Sequence, residues 1–204
     1  MKAIIEPINK KFKELININK NIFKINSVIM KQNEFDLISF AIKRRLNKNI
    51  KELKKLYQAT IDGDSPINFH SRCDNIPNTL TLIKSNGNRR FGGFASECWK
   101  SPSSFDFKDD INAFLFSLDK QKIYPYKKDG NALEFNKSYG PTFGIGPSSI
   151  FTGSSPIQRK TLITNESISY ASYNFYGDKN ALSESGGNNI YASEIEVFQV
   201  IFED

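Results

Sequence analysis

Apolar positions recur with two different periods along the chain. Between Lys31 and Tyr57 the spacing is three and four: Phe35, Ile38 and Ile42, then Leu46, Ile50, Leu53 and Tyr57. That spacing predicts helix, with Asn47-Lys48-Asn49 as a weak patch where two shorter helices meet at a kink. The turn cluster Ile61-Asp62-Gly63-Asp64-Ser65-Pro66 then changes the character of the chain. Ser65 or Asp64 ahead of Pro66 suits a helix start, so Pro66 to Cys73 is expected to form a short helix that turns Phe69 and Cys73 inward. Short β-type runs come next at Thr79–Ile83, Arg90–Phe94 and Ala113–Leu118, with further candidates near Lys122–Tyr126 and Ile145–Phe151. The last run, Ser193–Phe202, alternates: Ile195, Val197 and Gln199 fall on one face, Glu194, Glu196 and Phe198 on the other. It reads as a C-terminal strand that completes a sheet.

The run Ala113-Phe-Leu-Phe-Ser-Leu118 is apolar on both faces, which marks a central strand covered on each side. Helices at the front and closely spaced strands behind define the expected class. It is α+β, mainly β: a two-sheet antiparallel β-sandwich decorated by helices, with an N-terminal basic arm over residues 1–26 and a helix after it. A chain of 204 residues suits one domain plus such an arm.

Asn86-Gly87 lies between alternating runs and predicts a two-residue hairpin turn, because both positions tolerate positive φ. Arg89 and Arg90 sit at its exit. Gly92 and Gly93 come soon after, inside the second strand, where glycine marks a bulge or the close approach of another backbone. A phosphate loop would lead into a helix, and none is expected here. Gly140 to Gly146, with Gly144 and Gly146, likewise lacks a strand-loop-helix setting. The flanking topology does not alternate in the way of an RNA-recognition motif.

Charge adds little to this picture. The formal net charge is +6, and its excess lies between Lys2 and Lys55. A solvated helical face accounts for it without nucleic acid. Two cysteines, Cys73 and Cys98, and a single histidine, His70, are too few for a zinc site, and neither a metal nor a cofactor is expected. A thiol nucleophile would have to use His70, one helical turn from Cys73. Glu194 and Glu196 project to the same face, as a solvated edge or in a salt bridge to the basic helix. Trp99 suits core packing and an interface anchor equally. The N-terminus lacks a signal-type apolar stretch and no run reaches membrane-span length, so the expectation is an intracellular chain with free thiols and no catalytic constellation.

Several of these stretches occur together in one known family. Thr79-Leu-Thr-Leu-Ile-Lys through Arg90-Phe-Gly-Gly-Phe94 to Trp99 resembles the heart of the TLDc domain of eukaryotic oxidation-resistance proteins. Asp110–Leu118 resembles that family's central apolar strand, Gly140–Ile150 its glycine-bearing segment, and Glu194-Ile-Glu-Val-Phe198 its closing strand. Leu56–Ser65 and Phe69–Cys73 resemble the entry to the domain. The resemblance runs over about residues 27–202, which sets a domain of 27–204 behind the arm. Pro147-Ser148-Ser149 departs from it, standing where many members place an acidic residue.

The resemblance implies the same β-sandwich and no catalytic chemistry. It implies a protein-interaction module linked to oxidative-stress resistance, docking on a large assembly, the vacuolar-type proton-pumping ATPase first among them. The compartment implied is the cytosol, at the face of a vacuolar or endolysosomal membrane. Candidate contact residues are Arg89, Arg90, Trp99, Glu194 and Glu196, with Asn86, Gly87, Gly92, Gly93, Gly144 and Gly146 shaping the scaffold. Two alternatives remain: a thiol-based antioxidant enzyme using Cys98 or Cys73, and a structural subunit of another eukaryotic machine tethered by the basic arm.

Overall fold

The first helix, α1 (Phe35–Leu46), ends where Asn47 adopts φ 55 and donates its N–H to Lys43 O at 2.9 Å. A left-handed residue at this point closes the last turn and stops the helix. The chain then enters strand β1 (Ile50–Gln58), so the helical expectation for Ile50, Leu53 and Tyr57 is corrected. The cause is local. Against its partner strand, β1 carries irregularities between Ile50 and Glu52 and between Lys55 and Tyr57. Each inserts one extra residue and flips the face of the residues beyond it. Ile50 and Leu53, three apart, therefore pack on one side of the sheet, whereas Tyr57 packs on the other. Bulges have erased the period of two and left a spacing that imitates a helix.

The computed structural model describes residues 24–128, 130–144, 150–153, 156–157, 162–163, 173, 181–182 and 191–203. In chain order after β1 come α2 (Ala59–Asp62), α3 (Pro66–Cys73), β2 (Thr79–Ser85), β3 (Arg90–Ala95), β4 (Asp106–Lys108), β5 (Phe114–Ser117) and β6 (Lys122–Pro125). Then come β7 (Leu133–Phe135), β8 (Thr142–Phe143), β9 (Phe151–Thr152), β10 (Leu162–Ile163) and β11 (Ala192–Phe202). Ser65 is the N-cap of α3 with Pro66 in its first turn, and Phe69 and Cys73 face inward, as the sequence predicts.

Six strands form one antiparallel sheet in the order β1-β11-β2-β3-β5-β6, and three form a second, β4-β7-β8. Strands β9 and β10 pair as a separate ribbon. Of the strand expected at Ile145–Phe151, residues 145–149 lie outside the described residues, Ile150 forms an isolated bridge with Phe143, and Phe151 begins β9. Both faces of the large sheet are covered. On one, Tyr57, Phe91, Leu115, Ile195 and Val197 pack against Leu133 and Phe135 of the second sheet and against Phe69 and Trp99. On the other, Leu80, Phe94, Phe116 and Phe198 pack under Ile38 and Ile42 of α1. Strand β5 supplies Leu115 to the first face and Phe114 and Phe116 to the second, which bears out the two-faced reading of its sequence. The fold is α+β, mainly β. No helix among the described residues is long and apolar enough to cross a membrane.

Candidate interaction surface

The β2–β3 hairpin turns through Asn86, Gly87 and Asn88, all exposed. Asn88 N–H donates to Ser85 O at 3.0 Å and Ser85 N–H to Arg89 O at 2.9 Å. The left-handed residue is Asn88, at φ 62, and neither Asn86 nor Gly87 has positive φ. The two-residue turn expected at Asn86-Gly87 is thus a three-residue loop. Its tip is tied to the start of β11, because Asn86 N–H donates to Tyr191 O at 2.9 Å and Asn86 Oδ1 accepts from Tyr191 N–H at 3.2 Å.

Arg90 leaves this loop into a nest of acceptors. Its Nη1 and Nη2 donate to Glu34 Oε2 and Oε1 at 2.8 and 2.7 Å. Nε and Nη2 donate to Asp119 Oδ1 at 3.0 and 2.9 Å, and Nη1 to Ile29 O at 3.2 Å. The Glu34 and Asp119 carboxylates hold the guanidinium still further into its charged form, against a smaller opposing effect of burial. Arg89 is half-buried, with its backbone N–H donated to Ser85 Oγ at 3.1 Å.

The two glycines of β3 serve packing. A Cβ on Gly92 would lie 1.9 Å from Thr81 O, and one on Gly93 would lie 2.6 Å from two ring carbons of Phe143. Pairing of β2 with β3 runs through both without a shift, so this is close approach and not a bulge. Phe143 in turn meets Trp99 edge to face at 5.4 Å, and Trp99 does the same with Phe69 and Phe135. Trp99 is 1% exposed, donates Nε1–H to Thr79 Oγ1 at 2.8 Å and packs in the core. Gly144 takes φ 91, a conformation glycine tolerates best. Gly146 lies outside the described residues.

Glu194 and Glu196 share a face as predicted, but β11 lies between β1 and β2, so the expected solvated edge is corrected. Glu196 is fully buried. It accepts from Lys55 Nζ at 2.5 Å, from Ser27 Oγ at 2.5 Å and from Val28 N–H at 3.3 Å. Glu194 accepts from the Thr60 hydroxyl, from Thr60 N–H at 3.1 Å and from Gln58 Nε2 at 3.0 Å. The basic residue that pairs with this acidic face is Lys55, on strand β1 and not on a helix. Buried carboxylates need such partners, and here every one of them comes from the chain itself.

The other reactive side chains are similarly engaged. His70 Nδ1 faces Asp74 Oδ1 at 2.7 Å, and Nε2 donates toward Asn136 O and Tyr139 O at 3.1 and 2.9 Å. The ring pins α3 to the turn after β7 and faces no thiol. Burial, and after it the neighbouring Asp74, pushes the Cys73 thiol well above its usual range, which suppresses the thiolate. Cys98 is half-buried, and both cysteines are free. Among the described residues no group of three His, Cys, Asp or Glu side chains could hold a metal. Asp110, which the sequence patterns above do not single out, is buried and accepts from Ser96 N–H, Glu97 N–H and Asn112 N–H. An Asp two residues before an Asn ahead of a strand is the local signal that would have found it.

The profile of the TLDc domain family matches residues 23–201. The chain belongs to the TLDc family. The TLDc match takes in both sheets, the hairpin, Trp99 and the closing strand with Glu194 and Glu196. No curated protein matches the chain. While the TLDc domain buries Glu194, Glu196 and Asp110, it exposes several large apolar side chains, Val28, Ile61 and Ile67 among them, with Phe40 on α1, Phe105 and Phe107 at edge strand β4, and Ile111 beyond it.

Proposed function

We propose that this protein is a non-enzymatic interaction module that docks on a large protein assembly. The observation that carries this reading is a division of labour. Side chains with reactive chemistry among the described residues, such as Glu194, Glu196, His70 and Cys73, are committed to structural contacts, while Phe40, Phe105, Phe107 and Ile111 stand exposed. Contiguous exposed apolar groups, rather than single ones, mark surfaces that other proteins cover, and Phe40 and Ile111 line one groove.

Family membership supports the vacuolar-type proton-pumping ATPase as that assembly, at the cytosolic face of a vacuolar or endolysosomal membrane, with a link to oxidative-stress resistance. Arg89 and the loop beside it form the accessible part of the contact expected at the hairpin. Affinity purification of the full chain from its source, read by mass spectrometry, tests the assignment. Recovery of pump subunits is expected. Their repeated absence, with a different assembly in their place, moves the function to that machine.

A further inference from the structure

Between α1 and the loop that precedes β5 lies a groove of about 490 Å³. Phe40 and Ile111, 64% and 62% exposed, line it together with Arg44, Arg45 and Lys128, and no carboxylate does. Phe40 and Arg44 are one helical turn apart on α1, with the guanidinium 5.9 Å from the ring centre.

Arg45 is the informative member. Its guanidinium lies over Phe114 at 4.6 Å and donates Nη1–H to the Ala41 carbonyl at 3.1 Å. Burial, and then repulsion from Arg44, lowers its pKa. Among the described residues no acid pairs with either arginine. Arg90, in contrast, meets two carboxylates. A partly desolvated cation beside a like charge, at the wall of an apolar groove, has a carbonyl and a ring as neighbours but no paired acid, and an incoming anion would lower its electrostatic cost.

We propose that this groove receives an acidic amphipathic segment of a partner protein. A carboxylate of that segment pairs with Arg44 and Arg45, and a large apolar side chain one turn away covers Phe40 and Ile111. Arg and aromatic groups at the centre of a concave patch are the usual anchors of such contacts, and helices commonly dock by their apolar stripe in grooves of this kind. This deepens the docking reading above and rests on it for the existence of a partner.

The test uses the full chain and a fluorescein-labelled helical peptide built from Leu, Ala and Glu, with anisotropy as the readout. Binding is expected to fall about tenfold or more in Arg44→Glu/Lys128→Glu and in Phe40→Ser; all three positions are exposed, and the circular dichroism of both variants should match the parent. Replacing each Glu of the peptide by Lys, or each Leu by Ser, should abolish binding. Equal binding by parent and variants overturns the proposal. So does groove-dependent binding of vesicles containing phosphatidylserine without binding of the peptide, because the surface then reads lipid. Pump recovery is scored separately with the parent chain. Groove-dependent peptide binding without pump subunits removes the named assembly and keeps the groove; pump recovery without such binding does the reverse.

Discussion

Arg90 and Glu34 face each other in two parallel hydrogen bonds, 2.8 and 2.7 Å long, between a sheet strand and the turn that leads into α1. The same guanidinium reaches Asp119, after β5, so one side chain joins three separate parts of the chain. Fork-on-fork pairing of this type has directional strength that a single ammonium cannot copy. Arg90→Ala leaves two carboxylates without their shared cation and should lower unfolding stability by about 2 kcal/mol, the range for hydrogen bonds to charged groups. Arg90→Lys should recover only part of that loss. Urea denaturation of the three proteins decides, and equal midpoints would remove the role given to this cluster.

The glycine pair makes a ranked prediction. At Gly92 the obstacle to a Cβ is a backbone oxygen, Thr81 O, whereas at Gly93 it is the rings and methyls of Phe143 and Leu115. Side chains can turn aside and a ladder carbonyl cannot without breaking the sheet. Gly93→Ala should cost about 1–3 kcal/mol, the usual range for overpacking. Gly92→Ala should cost more, enough to empty the soluble fraction. Thermal melting and soluble yield of the two variants read this directly, and a more stable Gly92→Ala protein would contradict it.

The features legible in the sequence are those that depend on neighbours along the chain. Ile195 and Val197 alternate with Glu194, Glu196 and Phe198, and that alternation survives intact in β11. Phe114, Leu115 and Phe116 read correctly as a strand covered on both sides. Strand β1 imitates a helix because one bulge puts Ile50 and Leu53, three apart, on one face and the next puts Tyr57, four further on, on the other, which removes the period of two. The burial of Glu196 depends on Lys55 and Ser27, more than a hundred residues away, and no local pattern encodes it. The same holds for Arg90, whose partners are Glu34 and Asp119. Turn chemistry fails more narrowly: Asn86-Gly87 signals a hairpin, but Asn88 takes the left-handed position, since asparagine tolerates it nearly as well.

Cys73 and Cys98 should separate in a thiol assay. Cys73 is fully buried and its thiol is pushed well above the usual range, while Cys98 is half-buried. Alkylation of the native protein at mildly alkaline pH, read by peptide mass spectrometry, should label Cys98 first and Cys73 only after unfolding. Because the thiolate is the nucleophile, this order leaves Cys98 as the one residue on which an antioxidant activity could rest. Rapid labelling of Cys73 in the folded protein would reopen the thiol-enzyme reading for that residue.

Glu134, on the middle strand of the smaller sheet, is buried, and desolvation raises its carboxyl above the usual carboxylate range. Linkage fixes the sign of its effect. Below the unfolded-state pKa, near 4.3 for a glutamate, the side chain is neutral in both states and folding meets no penalty. As pH rises through the folded-state value, the buried group must ionise, and that part of the stability is lost. Glu134→Gln keeps a neutral side chain of the same shape at every pH. Its stability relative to the parent should therefore be greater at pH 7 than at pH 4, with the gap opening across the carboxylate range. Urea midpoints of both proteins at a series of pH values measure that gap. A difference that stays constant with pH, or one that closes as pH rises, would mean that Glu134 finds compensation for its charge within the folded sheet.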